Sequence, residues 1–362
     1  MIQDSFLKSF RETKSPFITN PYRFAGAAAV GGWVELARTT LGSNTAPITV
    51  SSIPDKRYYM ILAHNIASGN VNWNFRVGTG GTLDTGSNYA DRHSQNGAGD
   101  NTTAPANRWG DFLGNQAKDR FTQLYISNLS GKEKLMTGHV ADRGTSTGAG
   151  SAPERVEVVG KWTNTSLIDI LSLQDDGSDN MGTGSEMVVL GWDPADTHTT
   201  NFWEELASVE LGSDSSSSGS LGSPQMETGT FTAKKYLWVQ GWIKSSTDFV
   251  TNFNSNSSSI FSHRYSDNGG SDGTSINSNS AWFHYGGDQM FVNAFIINDT
   301  SKEKLMINHI VYRGSSGAGT APQRREIVSK WANTSDQITS IQLWKASMTI
   351  SAGSTLKVWG SD

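Results

Sequence analysis

The 362-residue chain contains no cysteine. That excludes disulfides, thiol catalysis and any cysteine-based zinc site, and with them a small secreted scaffold held by bridges. Charge is scarce as well. Asp, Glu, Lys and Arg make up 17% of the residues, below the usual quarter. The formal net charge is −5, which gives none of the basic footprint that nucleic-acid binding needs. No apolar run approaches the length of a membrane span. The opening MIQDSFLKSFRETKSPF mixes both signs of charge and lacks the apolar core of a signal peptide. Neither nucleic acid nor membrane is an expected partner.

What the chain does have is one domain written twice. NLSGKEKLMTGHVADRG (residues 128–144) returns as NDTSKEKLMINHIVYRG (298–314), with 9 of 17 positions identical. AGSAPERVEVVGKWTNTS (149–166) returns as AGTAPQRREIVSKWANTS (318–335), with 12 of 18 identical. The spacing of about 170 residues far exceeds that of solenoid repeats, so each copy is a whole domain with its own core. The boundaries follow: a leader at 1–32, repeat 1 at 33–193, a linker at 194–202 and repeat 2 at 203–362. The repeat also serves as an internal alignment. A residue the fold requires should recur, whereas one serving a special site need not.

Both copies read as β. RYYMILAHNI, FTQLYISNL and RVEVVGKW, and in repeat 2 KKYLWVQGWI, MFVNAFIIN and KLMINHIVY, are short runs rich in β-branched and aromatic residues between Gly, Asn, Asp and Ser clusters. About eight such strands per copy predict an all-β protein. It would comprise two tandem antiparallel β-sandwiches, jelly-roll-like, preceded by an N-terminal arm. Trp162 and Trp331 recur and read as core or strand-edge anchors rather than ligand platforms. Lys132 to Lys134 and Lys302 to Lys304 read as charged hairpins.

Catalytic signatures are hard to find. There is no nucleophile elbow, HExxH or phosphate loop. His139 and His309 recur in equivalent strands and read as structural. Glu35/Glu205 and Glu157/Glu326 also recur, and a glycosidase pair is conceivable. Glu35 nevertheless sits in the opening strand and Glu157 among alternating strand residues, where exposed carboxylates are ordinary. No enzymatic activity and no cofactor are expected. The one candidate metal site is the loop RYSDNGGSDG, where Asp267, Asn268 and Asp272 offer the hard oxygen ligands calcium takes. The turn dipeptides Asn96-Gly97 and Asn268-Gly269 explain the part that both copies share.

The leader carries Ile2, Phe6 and Phe10 on one helical face. Pro16 and Pro21 then favour extended backbone. With Phe17, Tyr22 and Phe24 these apolar residues suit docking on a partner, the alternative being that the arm folds back on repeat 1. Aromatic residues of repeat 2, Trp242, Trp282 and Tyr285, are candidates for glycan contact.

At RYSDNGGSDGTSIN, KEKLM and GAGTAPQRREIVSKWANTSDQIT the chain resembles tandem β-sandwich structural proteins of the virions of tailed phages and related viruses. The resemblance spans both copies and omits the leader. It implies a protein of the particle surface, of capsid-decoration or tail-fibre type, and transfers no catalytic residue. The expected function is a decoration or cement protein anchored by its arm. Its partners would be the major capsid protein or other virion proteins, and it would be a homo-oligomer in the assembled particle. Two alternatives remain open: a glycan- or receptor-binding module of a fibre or head appendage, contacting a host-surface glycan, and a double jelly-roll major capsid protein.

Overall fold

A computed structural model describes residues 32–45, 47–110, 116–175, 181–196, 200–216, 223–284 and 289–362. The arm residues Ile2, Phe6, Phe10, Phe17, Tyr22 and Phe24 lie outside the described residues, as does Tyr285. Of Trp282 only the backbone is described.

The protein is all-β. Each repeat builds one eight-stranded antiparallel sheet, and the two have the same strand order. In repeat 1 the order is Val34–Thr40, Glu186–Trp192, Tyr58–Asn65, Arg120–Ser127, Lys134–Asp142, Glu154–Trp162, Tyr89–Gln95 and Asn101–Ala106. In repeat 2 it is Glu204–Glu210, Thr355–Ser361, Tyr236–Lys244, Gln289–Ile297, Lys304–Tyr312, Gln323–Trp331, Phe261–Asp267 and Gly273–Ser278. A smaller sheet covers the inner face of each. In repeat 2 it runs Met226–Glu227, Ile341–Trp344, Phe249–Phe253 and Trp282–His284. Apart from two hairpins in the large sheet, Tyr89–Gln95 with Asn101–Ala106 and Lys134–Asp142 with Glu154–Trp162 in repeat 1, the main strands alternate between the two sheets, and the last strand lies beside the first. This is jelly-roll connectivity, with the larger sheet extended by two added hairpins.

Period-two alternation decides which side chains meet where. In Tyr58–Asn65, Tyr59, Ile61 and Ala63 enter the core of repeat 1, with Leu124, Val158 and Trp162. Met60 and Leu62 point the opposite way and are buried too. That strand is therefore apolar on both faces, as its unbroken YYMILA run requires. Repeat 2 closes a matching core around Phe253, Phe261, Trp331 and Val358. Trp162 and Trp331 are fully buried, as their recurrence suggests.

A third apolar cluster belongs to neither sandwich. Met60, Leu62, Phe121, Val188 and Leu190 of repeat 1 meet Tyr236, Phe295, Ile297, Leu305 and Ile307 of repeat 2. Phe202, the last linker residue, and Trp203, the first of repeat 2, are buried in the same cluster. The outer faces of the two large sheets thus pack on each other, and the repeats are fused through a shared core.

Candidate functional site at the seam between the repeats

The seam is built from cross-strand rows, sets of side chains paired across neighbouring strands on one sheet face. The central row of repeat 1 is Leu62, Gln123, His139 and Glu157. That of repeat 2 is Gln240, Asn293, His309 and Glu326. These rows are equivalent in sequence and they meet. The His139 and His309 rings lie 4.2 Å apart between centroids. The Glu157 and Glu326 carboxyls are brought together at one guanidinium, with Arg155 Nη1 donating to both. Like meets like, so a pseudo-twofold axis runs along the central row, as in an isologous dimer.

Arginines fill the spaces around the paired carboxyls. Arg155 donates to Glu326 at 3.2 Å and to its own neighbour Glu157. It also makes a forked contact with Asp272 of repeat 2, at 2.8 Å from Nη2 and 3.1 Å from Nε to the same oxygen. Arg324, the counterpart of Arg155, donates to Glu326 at 2.5 Å. Burial, and then the hydrogen bond shared with Glu326, hold the Glu157 carboxyl well above the carboxylate range. Burial also opposes ionisation of Glu326, but the Glu157 hydrogen bond and the two arginines outweigh it and bring its pKa down. The two carboxyls are thereby shifted in opposite directions. The histidines are kept neutral. Burial, followed by the His309 and Arg155 charges, drives the His139 pKa well below its ordinary value. His309 is lowered mainly by burial.

The two halves flanking the axis differ. On one side the seam is closed. Residues 143–153 of repeat 1 reach over repeat 2: Lys330 donates to the Arg143 carbonyl at 2.6 Å, Ser262 to Ser151 at 3.0 Å and Arg264 to Pro153 at 2.9 Å. The Gly148 and Asn277 amides add bonds to Glu303 and the Ala149 carbonyl. Glu186 accepts from Tyr236 at 2.8 Å and pairs with Lys235 at 3.0 Å. Those two partners, with Thr40, hold its carboxyl down at about 2 against the cost of burial.

On the other side the seam is open. The equivalent loop of repeat 2, residues 314–320, is exposed. A cleft of about 280 Å³ separates Arg92, Asp100, Thr137 and Val159 from Arg324 and Glu326. Beside it on repeat 1 is a hollow of about 460 Å³ formed by Trp33, Tyr58, Tyr125, Leu135, Thr137 and Trp192. Leu135 and Val159 are 59% and 50% exposed. On repeat 2 the row beyond His309 is Trp242, Phe291 and Val311, each 40–43% exposed. Five large apolar side chains thus remain in water on these two faces, where apolar patches mark contact surfaces.

The remaining sequence candidates fall elsewhere or serve this seam. Asp267 and Asp272 point to different guanidiniums, Asp267 to Arg325 at 2.5 and 2.6 Å and Asp272 to Arg155. Asn268 accepts the Arg324 amide at 2.9 Å and has the positive φ of an Asn-Gly hairpin turn. The three oxygen donors do not converge, and no metal-holding group of three occurs among the described residues. Trp242 and Trp282 belong to different sheets. The reading of Glu157 and Glu326 as ordinary exposed strand carboxylates is corrected here, because each is held against the other across the seam. Their recurrence was visible in the sequence. What it could not reveal is that equivalent residues recur because they touch.

Fold and site together define an all-β protein of two tandem β-sandwiches fused face to face. No family model matches the sequence, and no curated protein matches it. Among solved structures, the LG1-3 region of the laminin alpha2 chain aligns at 11% identity and a TM-score of 0.22, covering 87% of this chain and 64% of that one. The chain thus spans a little under two thirds of that relative. The attachment invasion locus protein Ail of Yersinia pestis aligns at 6% identity and a TM-score of 0.13, over 76% of this chain and 99% of that one.

Proposed function

We propose that the protein is a virion structural component of the capsid-decoration type, with no enzymatic role, bound at the particle surface to the major capsid protein or another virion protein. The observation that carries this reading is the use made of the recurring polar residues. His139, His309, Glu157, Glu326 and Arg155 are engaged with one another in fusing the repeats. A rigid tandem body whose recurring polar residues serve its own assembly suits a structural protein. Trp242 lies between Phe291 and Thr355 in its row, and the phenylalanine beside it favours an apolar contact over a sugar. The sequence resemblance points to the particle, and the leader supplies an attachment arm.

The test is co-sedimentation with particles. Full-length protein is expected to pellet with particles, and a chain lacking residues 1–16 to stay in the supernatant with its circular dichroism unchanged. Mass spectrometry of intact particles should give a copy number on the scale of the shell. Normal pelleting of the truncated chain, or a handful of copies per particle, would overturn the decoration reading.

A further inference from the structure

The open half of the seam has a built-in template, because the pseudo-twofold axis makes the closed half its counterpart. On the closed side, Tyr236, Ile297 and Leu305 of repeat 2 form one row. Two aromatic rings fill the space above it. Phe121 of repeat 1 lies 6.5 Å from the Tyr236 ring, and Phe202 of the linker 6.3 Å from it. The matching row on repeat 1 is Tyr58, Ser127 and Leu135, which forms part of the 460 Å³ hollow under Trp33. Neither counterpart of the two filling rings closes it. Phe291 corresponds to Phe121 and is 43% exposed. Phe202 precedes Trp203, so its counterpart before Trp33 is Gly32, which has no side chain.

The chain that could supply the missing rings begins at the lip of this hollow. Trp33 is one of its walls, and the leader ends one residue earlier. Tyr22 and Phe24 lie two apart, so an extended segment would turn both to one side and Arg23 to the other. Pro16 and Pro21 favour that extension. The nine residues from Phe24 to Trp33 span at most about 30 Å, ample for a return onto the adjoining sheet face.

We propose that residues 17–24 of the leader fold back into the open half of the seam of their own chain. Tyr22 and Phe24 occupy the hollow lined by Trp33, Tyr58 and Leu135, opposite the Trp242, Phe291 and Val311 row. They take the places that Phe202 and Phe121 hold on the closed side. Residues 1–16 stay available for attachment, so this inference stands apart from the particle assignment.

The absence of native cysteine makes the test direct. Phe24→Cys is combined with Leu135→Cys in the groove, or with the exposed control Thr82→Cys in the smaller sheet of repeat 1. The purified full chain is then oxidised at low concentration. Only the Leu135 pair is expected to form an intrachain bond, read as two thiols lost and a faster monomer band without reductant. No bond, or equal bonding of both pairs, would overturn the docking. A disulfide-linked dimer would overturn the own-chain assignment and give the groove to a neighbour's leader. An independent reading uses an apolar fluorescent dye. A chain lacking residues 1–31 should bind several-fold more dye than the full chain, and equal binding would refute a covering role. Neither measurement involves particles, so its failure is distinguishable from failure of the proposed function.

Discussion

Two arginines that correspond in the repeat have unequal burdens. Arg155 is buried and faces the buried Asp272 together with Glu326, whereas Arg324 is largely exposed. Removing one member of a buried ion pair costs about 3–5 kcal/mol, because the other charge stays behind in low dielectric. An exposed ion pair is worth about 0–1 kcal/mol. Arg155→Ala is therefore expected to lower unfolding stability by about 3 kcal/mol and Arg324→Ala by less than about 1 kcal/mol, measured by urea titration. Equal losses would mean that the asymmetry of the seam carries no energetic weight. Buried histidines set a pH dependence. His64, His139, His263 and His309 all have lowered pKa values with burial as the first cause. The unfolded chain then takes up these protons first, and stability is lost as pH falls below about 6.5. Glu157 and Asp142 are raised by burial and act in the opposite sense, losing their contribution as pH rises from the ordinary carboxylate range. Four groups against two leave a net loss on acidification. The urea midpoint should fall between about pH 6.5 and pH 5, and His139→Gln with His309→Gln should flatten that fall.

At the level of strands and turns, the two most similar strings recur together because they touch. The Lys134 ammonium donates to the carbonyls of Leu129, Lys132 and Thr165. Lys304 does the same with Lys302 and Asn333, and lies over the Trp331 ring. KEKLM is thus tied to KWTNTS or KWANTS by one buried cation, whose pKa burial lowers to about 8 in Lys304. The sequence reading of a charged hairpin holds for Lys132 and Glu133, which are exposed, and not for the third residue of the motif, which turns inward. Composition alone cannot separate the two, since a lysine inside a cage of carbonyls looks like a lysine in water. Lys304→Met should cost about 1–3 kcal/mol, the penalty for buried acceptors left without a donor. Lys132→Met, at an exposed hairpin position, should change stability by less than about 0.5 kcal/mol, as surface substitutions do. Comparable effects of the two substitutions would sink this assignment.

On the scale of the whole molecule, the sandwiches were readable and their union was not. Strand runs, Asn-Gly turns and paired tryptophans are local signals, and they predict two all-β domains directly. The seam depends on which face of a strand meets another domain. The clue lay in strands apolar on both faces, such as Tyr58–Asn65 and Gln289–Ile297, which a sandwich with one wet face does not need. Read that way, Met60, Leu62, Phe295 and Ile297 call for a second cover. Because, among the described residues, the shared cluster buries 14, more than half as many as the 26 and 25 of the two domain cores, the repeats should unfold together. The intact protein is expected to show one calorimetric transition whose van't Hoff and calorimetric enthalpies agree. Phe121 offers a clean way to uncouple them. Its ring sits in the seam near Tyr236 and in neither sandwich core, so Phe121→Ala should remove about 3–5 kcal/mol from the union alone. The variant should split the single transition into two, with repeat 1 and repeat 2 melting separately. Two transitions already present in the intact protein would show the repeats to be independent bodies, and a single transition shifted downward in the variant would place Phe121 in the core of one domain instead.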